Sequence, residues 1–429
     1  MLALTGVTLM FTIMYLLIKE KVAPPIAFIV LPIVAAFAAG FDVQAISSFG
    51  AKGISAVTNN TVLLLFSIAY FSMMSDIGLF DPIVKLAMKK TGKSVGAVLS
   101  AIGLTTLVAT LDGAGATTYL VVIPPFLPII KKLNIRNEAI LGVMASVTFM
   151  NLTPWGGPSL LAATALNVEL TDLYSQAIKG IIVLAALAPI IIYAIYRYEV
   201  SNGAQASSEE TVAITVATEE TPKISKNKYI CNVILTVLLV TALFLKIKPP
   251  FIFFMIALAV GLMINYPDAK TQRAKIKELG SEAVGMTITL FSVGIFIGII
   301  NNSGMVNAMA KSIISLLPEI LAPHIHWIIA FFGVPLLMLL GSESFYLGLM
   351  PIVVGMAAQF GVPAVEVGSA FLVAASYGPV ISPCIAATYV GVGVAESSIG
   401  ANIRYNLKFL WGASVIALVI STLLGVVRF

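Results

Sequence analysis

Charge, histidine and cysteine are all scarce in this chain, and each scarcity removes a class of function. Charged residues are 10% of 429, hydrophobic residues are 59%, and mean hydropathy is +1.02. No soluble domain needs that much apolar surface, so a soluble enzyme or a nucleic-acid-binding module is excluded. The two cysteines, Cys231 and Cys384, sit in separate apolar runs and read as small membrane hydrophobes. The two histidines, His324 and His326, read as surface residues, and two histidines two apart do not make a metal site. No nucleophile–base pair stands out, so the chain is not read as an enzyme. The alternating ten-residue strands of a β-barrel are missing as well. The first segment has no basic n-region or small-residue cleavage pattern and reads as a retained span.

What remains is an all-α polytopic membrane protein. Spans are expected at Leu2–Ile18, Pro24–Gly40, Thr61–Leu79, Ile178–Tyr196, Tyr229–Leu245, Phe251–Ile264, Met286–Ile300 and Lys408–Val427. Phe41–Asn60 is more polar and reads as a connection. Two further spans, Ala139–Val168 and Val367–Val394, are interrupted. The first carries Asn151-Leu-Thr-Pro-Trp-Gly-Gly-Pro158 and the second Gly378-Pro-Val-Ile-Ser-Pro383, and such proline and glycine runs break a helix. One hydrophilic stretch, residues 198–228, divides the chain into halves 1–197 and 229–429 and reads as a cytoplasmic linker.

Leu99–Lys132 is different again. Two apolar arms, each too short to span, flank the tip Asp112-Gly-Ala-Gly-Ala-Thr-Thr118, as expected of a re-entrant hairpin. Trp327–Phe360 matches it, with the tip Gly341-Ser-Glu-Ser344. With both hairpins re-entrant, Lys19 and Lys21, the Lys85–Lys93 group, Lys131–Arg136, Lys223–Lys228, the Lys270–Lys277 group and Arg404 with Lys408 fall on one side. That side is cytoplasmic by the positive-inside rule, which explains the net charge of +5 better than a nucleic acid does. The hairpins then enter from opposite sides. The halves also share sequence. Lys21-Val-Ala-Pro-Pro25 recurs as Lys246-Ile-Lys-Pro-Pro250, Phe66-Ser67 as Phe291-Ser292, Thr118-Tyr-Leu120 as Phe345-Tyr-Leu347, and Leu161-Ala-Ala-Thr164 as Ile385-Ala-Ala-Thr388. Five spans and one hairpin per half is an odd number of crossings, so the repeats are inverted, a build that recurs in secondary transporters.

The repeat directs attention to the tips and breaks. Asp112 and Glu343 are carboxylates in apolar stretches, costly to bury without a partner, ion or water. Asp112 could cap the second helix of its hairpin. Glu343 is a poor cap, and the pair is read as binding a coupling cation or proton. Around them Gly113, Gly115, Thr117, Thr118, Ser342 and Ser344 at the tips are read as substrate contacts. So are Asn151, Thr153, Gly156, Gly157 and Ser159 in one break and Ser376, Tyr377, Gly378 and Ser382 in the other. Interrupted helices aim amides at an anion and leave carbonyls for a cation. Asn151 and Thr153 could equally join helices. Asp76 reads as structural, Arg404 as a topology anchor, and Tyr119 and Tyr346 as packing.

At Leu111-Asp-Gly-Ala-Gly-Ala-Thr-Thr-Tyr-Leu120, Pro124-Pro125, Thr153-Pro-Trp-Gly-Gly-Pro158, Ser376-Tyr-Gly-Pro379 and Ala386-Ala-Thr-Tyr389 the chain resembles the citrate–divalent metal/proton symporter family of the ion transporter superfamily. The resemblance implies a multi-pass transporter of the bacterial inner membrane. It would take up citrate, often with a divalent metal such as Mg²⁺ or Ca²⁺, together with H⁺ or Na⁺, and hold no permanent cofactor. It implies a homodimer of elevator type, with helices in 1–40 and 229–264 as scaffold and 61–168 and 286–394 as the transport parts. Two positions depart from the family pattern. Ala114 stands where the tip commonly has a second Asp, and Ser159-Leu-Leu161 where Thr-Ala-Arg is common. Losing an acid and a base together points to a less charged substrate, a mono- or dicarboxylate. The alternatives are a Na⁺/H⁺ antiporter without organic substrate, and a channel. The many Ser, Thr, Gly and Pro residues at the breaks suit something bulkier than a bare ion.

Overall fold

The computed structural model describes residues 1–18, 21–79, 82, 94–110, 115–205, 225–245, 249–315, 318 and 320–429. Among these residues there is no β-strand, and the element order of the first half recurs in the second. The first half runs α1 (Leu2–Ile18), α2 (Pro24–Ala38), α3 (Val43–Asp76), a hairpin of α4 (Val95–Ala109) and α5 (Gly115–Lys132), a broken pair α6 (Asn137–Ser146) and α7 (Gly157–Leu166), and α8 (Leu170–Ser201). The second runs α9 (Lys226–Phe244), α10 (Pro250–Asn265), α11 (Ala269–Asn302), α12 (Met305–Ile314), a hairpin beginning with α13 (Ile325–Phe331) and α14 (Gly333–Glu343) and returning through α15 (Met350–Ala357), a broken pair α16 (Ala364–Ala375) and α17 (Ala386–Val394), and α18 (Ile399–Leu423).

Span lengths differ from the expectation of ten full crossings. Among the described residues four helical runs are long and apolar enough to cross a membrane, or six with each bent pair taken as one. Other apolar helices have 10–17 residues, and the breaks divide what would be one crossing into two short pieces. One of the four runs, Gly333–Ala358, is continuous only nominally. Gly341 has φ +74° and ψ 165°, outside the helical region, and α13 lies beside α15, so the chain doubles back there. It is a hairpin, as α4 and α5 are.

The polar stretch 41–60 is not a connection. It is the first half of α3, a continuous helix of 34 residues, and α11 likewise extends through the basic stretch ahead of Met286. Each starts at a capping aspartate. Asp42 accepts from the Ala45 amide at 2.7 Å, and Asp268 from the Lys270 and Thr271 amides at 2.9 Å. The Thr271 amide in particular holds the Asp268 carboxyl below the usual carboxylate range. At 1.5 Å per residue each helix is about 50 Å long, more than the hydrocarbon core of a bilayer. The two pack against each other through glycines. A Cβ at Gly53 would stand 1.9 Å from the Gly294 carbonyl oxygen, and one at Gly298 would stand 2.2 Å from that of Phe49. Such contact lets dispersion between backbones hold helices where lipid removes the hydrophobic drive. Elsewhere on the pair Lys275 is buried and bonded to Asp76 at 2.6 Å and Glu278 at 2.9 Å.

α18 shows that the hairpins open on opposite faces. Near its start, Tyr405 meets the mouth of the first hairpin and Asn406 the α6 segment just beyond it. Near its end, Thr422 accepts from the Trp327 indole in the mouth of the second. The 17 residues from Tyr405 to Thr422 span about 25 Å of helix. The first mouth is closed by Glu199, which is 1% exposed. It accepts from the Arg136 amide at 2.9 Å, Arg136 Nε at 3.0 Å and the Tyr405 hydroxyl at 2.7 Å. Burial works against the Arg136 guanidinium most strongly, but the Glu199 charge together with hydrogen bonding to Tyr198 and Glu199 outweighs it and keeps its pKa above the ordinary arginine value. At the second mouth His326 is fully buried, contrary to the surface reading, and its Nε2 lies 2.9 Å from the Arg428 carbonyl oxygen.

Two stability effects follow, both read as thermal unfolding of purified protein in detergent. Gly53→Ala, which drives a methyl into the α11 backbone, should cost about 2 kcal/mol. Arg136→Leu, which leaves the buried Glu199 charge without its cation, held only by the backbone amide at 136 and the Tyr405 hydroxyl, should cost about 3 kcal/mol. An unchanged melting temperature in either variant would contradict the packing described.

Candidate functional site

Both interrupted helices break where sequence places the prolines and glycines. In the first, α6 passes into a 3₁₀ turn at Thr148–Leu152, the chain bends by 48°, and α7 begins at Gly157. Gly156 is required sterically. A Cβ there would lie 1.8 Å from the Asn151 carbonyl oxygen, while the Gly156 amide donates to the Thr153 carbonyl at 2.9 Å. In the second, α16 passes through Ser376 and Tyr377 into a 3₁₀ turn at Gly378–Ile381, and α17 begins at Ala386. Neither α7 nor α17 has a side-chain cap. Their first amides therefore retain the partial positive charge of a helix start.

The two breaks touch. Thr148 Oγ1 lies 2.8 Å from the Ala145 carbonyl of its own helix and 3.0 Å from the Ser376 carbonyl, so its one proton is shared between them, and it lies 3.5 Å from the Ser376 hydroxyl. The tip of the second hairpin is bonded onto the second break. Ser382 Oγ donates to the Met338 carbonyl at 2.9 Å, Cys384 Sγ lies 3.2 Å from the Leu339 carbonyl, and Gly378 packs under Leu337. The turn of π-helix after that tip, Ser344–Leu349, packs against α7 of the first break. In the mirrored arrangement α5 of the first hairpin packs against α17, with the Tyr119 ring against Gly391. Each hairpin thus lies on the broken pair of the other half, and the second tip bridges both breaks.

The candidate residues divide by what they already bind. Ser159 donates to the Leu152 carbonyl at 2.9 Å, so its hydroxyl braces the first break. Ser376 and Ser382 are engaged as described. Thr118 Oγ1 reaches the Ala109 carbonyl at 3.4 Å across the first hairpin, and Gly115 starts α5. Gly157 opens α7. By contrast Asn151 Oδ1, Thr153 Oγ1 and the Tyr377 hydroxyl, like a few buried groups elsewhere such as Thr105 Oγ1 and Ser421 Oγ, have no hydrogen-bond partner among the described residues. Glu343 is partly buried at the tip and its side chain makes no hydrogen bond or ion pair with the described residues. Ser342 and Ser344 stand beside it, Ser344 fully buried. Asp112, Gly113 and Ala114, with the Thr117 side chain, lie outside the described residues. No lysine or arginine occurs in residues 147–159, 336–350 or 376–388. The arrangement can therefore hold an anion by amide dipoles and neutral donors, and a cation or proton on a tip carboxylate.

Thr148 was not among the candidates, though it is the residue that joins the breaks. Trp155 was quoted only as part of the break. Its ring lies 5.1 Å from Phe71 of α3 and 6.4 Å from Phe254 of α10, which ties the first break to two more helices.

Comparison with known proteins bears on the family and the fold. The profile of the citrate transporter family matches residues 2–376. Over full lengths the chain is 30% identical to the citrate transporter of Bacillus subtilis (strain 168). It is also 30% identical to that organism's Mg(2+)/citrate complex secondary transporter, covering 100% of this chain and 99% of the relative. The crystal structure of the Alcanivorax borkumensis YdaH transporter, described as having an unusual topology, superposes with a TM-score of 0.58 at 16% identity, over 90% of this chain and 87% of that one.

Gly156→Ala should push the Asn151 carbonyl out of the turn and cost about 1–3 kcal/mol. Thr148→Val should cost about 1 kcal/mol by removing the bridge between the breaks. Thermal unfolding of both variants beside wild type checks this, and wild-type stability in Gly156→Ala would mean the turn is built otherwise.

Proposed function

This chain belongs to the citrate transporter family, and on that premise we propose that it takes up citrate as a divalent-metal complex, in symport with H⁺ or Na⁺. The observation that carries the reading is the set of unpartnered polar groups, Asn151 Oδ1, Thr153 Oγ1 and the Tyr377 hydroxyl, beside the Thr148–Ser376 contact. Buried polar groups without partners are costly and cluster where a ligand completes them. The uncapped starts of α7 and α17 supply the attraction for a carboxylate. No basic side chain stands in the breaks or at the second tip. A free tricarboxylate would be poorly compensated there, whereas a bound divalent cation cancels two of its charges. A mono- or dicarboxylate meets the same condition and is the second reading.

Glu343, unpaired at the tip, and Asp112 at the matching tip carry the coupling cation or proton. The two halves are inverted repeats. Helices of 1–40 and 229–264 form the scaffold of a homodimer in the bacterial inner membrane, and the hairpins and broken helices move as an elevator. The exposed apolar side chains of α2 and α10, such as Val30, Val34, Ile252 and Ile256, support a partner or lipid on that face.

Proteoliposomes test the reading. Uptake of labelled citrate should need Mg²⁺ or Ca²⁺ and stop with a chelator. Glu343→Gln and Asp112→Asn should lose accumulation against an imposed H⁺ or Na⁺ gradient. Asn151→Ala and Tyr377→Phe should each raise KM about tenfold, the loss of one hydrogen bond of about 1.4 kcal/mol. Metal-independent uptake of citrate would overturn the complex as substrate, and wild-type coupling in both carboxylate variants would overturn their role.

A further inference from the structure

A cavity apart from the contact between the breaks lies along the first arm of hairpin one and α8. It is a groove of about 590 Å³, within the range of small-molecule sites. Its walls are Leu104 and Leu107 of α4, Val147 and Phe149 of the first break, and Tyr193 and Tyr196 of α8. On α4 it runs from Gly96 to Leu107, about 16 Å along the axis. Leu104 is 56% exposed and Tyr193 57%, so the groove opens sideways, between two apolar helices. What meets that opening is bilayer hydrocarbon rather than water.

The groove is polar at one end only. Gly96, Tyr193 and Tyr196 mark the end toward the first hairpin's mouth, where tyrosine suits the membrane interface. Exposed Arg197 follows Tyr193 by one helical turn on the same face. Lys408 and Arg136 pack on the Tyr198 ring at 3.5 Å and 4.5 Å, on the α18 side of α8, and do not line the groove. The inner end, Leu107, Val147 and Phe149, is wholly apolar. An exposed arginine beside the tyrosine end of a one-ended apolar slot is the complement of a phospholipid with an anionic headgroup. We propose that the groove binds one acyl chain of an anionic glycerophospholipid, its phosphate at Arg197 and its methyl end against Val147 and Phe149.

Those two residues bracket Thr148, the residue that joins the breaks. A chain seated there packs directly on the segment that carries Asn151. It lies along the seam where α4 and α8 touch, a Cβ on Gly103 in the groove wall standing 2.8 Å from Ile192. The lipid thus props the first arm from the side while substrate chemistry occurs on the other side of the same break.

The test uses the whole protein in nanodiscs containing phosphatidylglycerol or phosphatidylcholine with a photoreactive diazirine at the end of one acyl chain, and mapping of the adducts by mass spectrometry. Adducts should appear at Leu107, Val147 and Phe149, several-fold more from phosphatidylglycerol. Ala185→Phe, which fills the groove, should remove them but keep labelling of outward-facing Ile182 and Ile190. Arg197→Gln should equalise the two lipids. Labelling confined to outward-facing residues in wild type would overturn the site. Equal labelling of the inner residues by both lipids would overturn the anionic headgroup, and Val147 or Phe149 cross-linked to a second copy would assign the groove to an interface.

Discussion

A helix interrupted inside a membrane leaves backbone donors and acceptors that neither water nor hydrocarbon satisfies, and the architecture depends on where those groups find partners. Here they are met from the other half of the chain or from within the break. The Ser376 carbonyl takes a hydrogen bond from Thr148, the Met338 carbonyl one from Ser382, and the Leu152 carbonyl one from Ser159. Hydroxyls of small side chains do this because they fit where backbones approach closely. The glycines at 156 and 378 leave the room.

The polar groups left over then acquire meaning. A break that satisfied every atom would be structural only. Asn151 Oδ1, Thr153 Oγ1 and the Tyr377 hydroxyl have no partner, and neither has the Glu343 side chain among the described residues. Positive charge is kept away from the breaks and the second tip and gathered at the ends of the helices. Arg136 with Glu199, Lys275 with Asp76, and Arg428 with Glu366 are ion pairs outside the breaks. Dipoles at the starts of two short helices attract an anion there.

Much of this was legible from residues alone. The first helix has the bounds that its apolar run implied, both breaks fall at the Pro and Gly clusters, and the second hairpin turns at the tip where short arms met polar residues. These features are local, set by composition over ten to twenty residues, which is why a single sequence shows them. The long helices α3 and α11 were not legible as continuous. Hydropathy measures affinity for hydrocarbon, and their polar first halves carry no such signal, although the Asp42 and Asp268 caps begin them. The buried state of His326 and Lys275 was likewise invisible, since each depends on a partner far away in the chain.

The sequence by itself determined a helical membrane protein with duplicated halves, two hairpins and two breaks, because helix length, helix interruption and repetition are written in residue order. Only the tertiary structure decided which hydroxyls are occupied and which are free. Ser159, Ser376 and Ser382 looked equivalent to Asn151, Thr153 and Tyr377 in the chain, and Thr148 did not stand out at all. Their separation is a matter of which carbonyl lies within about 3 Å of each donor, and that is set by how one half packs on the other.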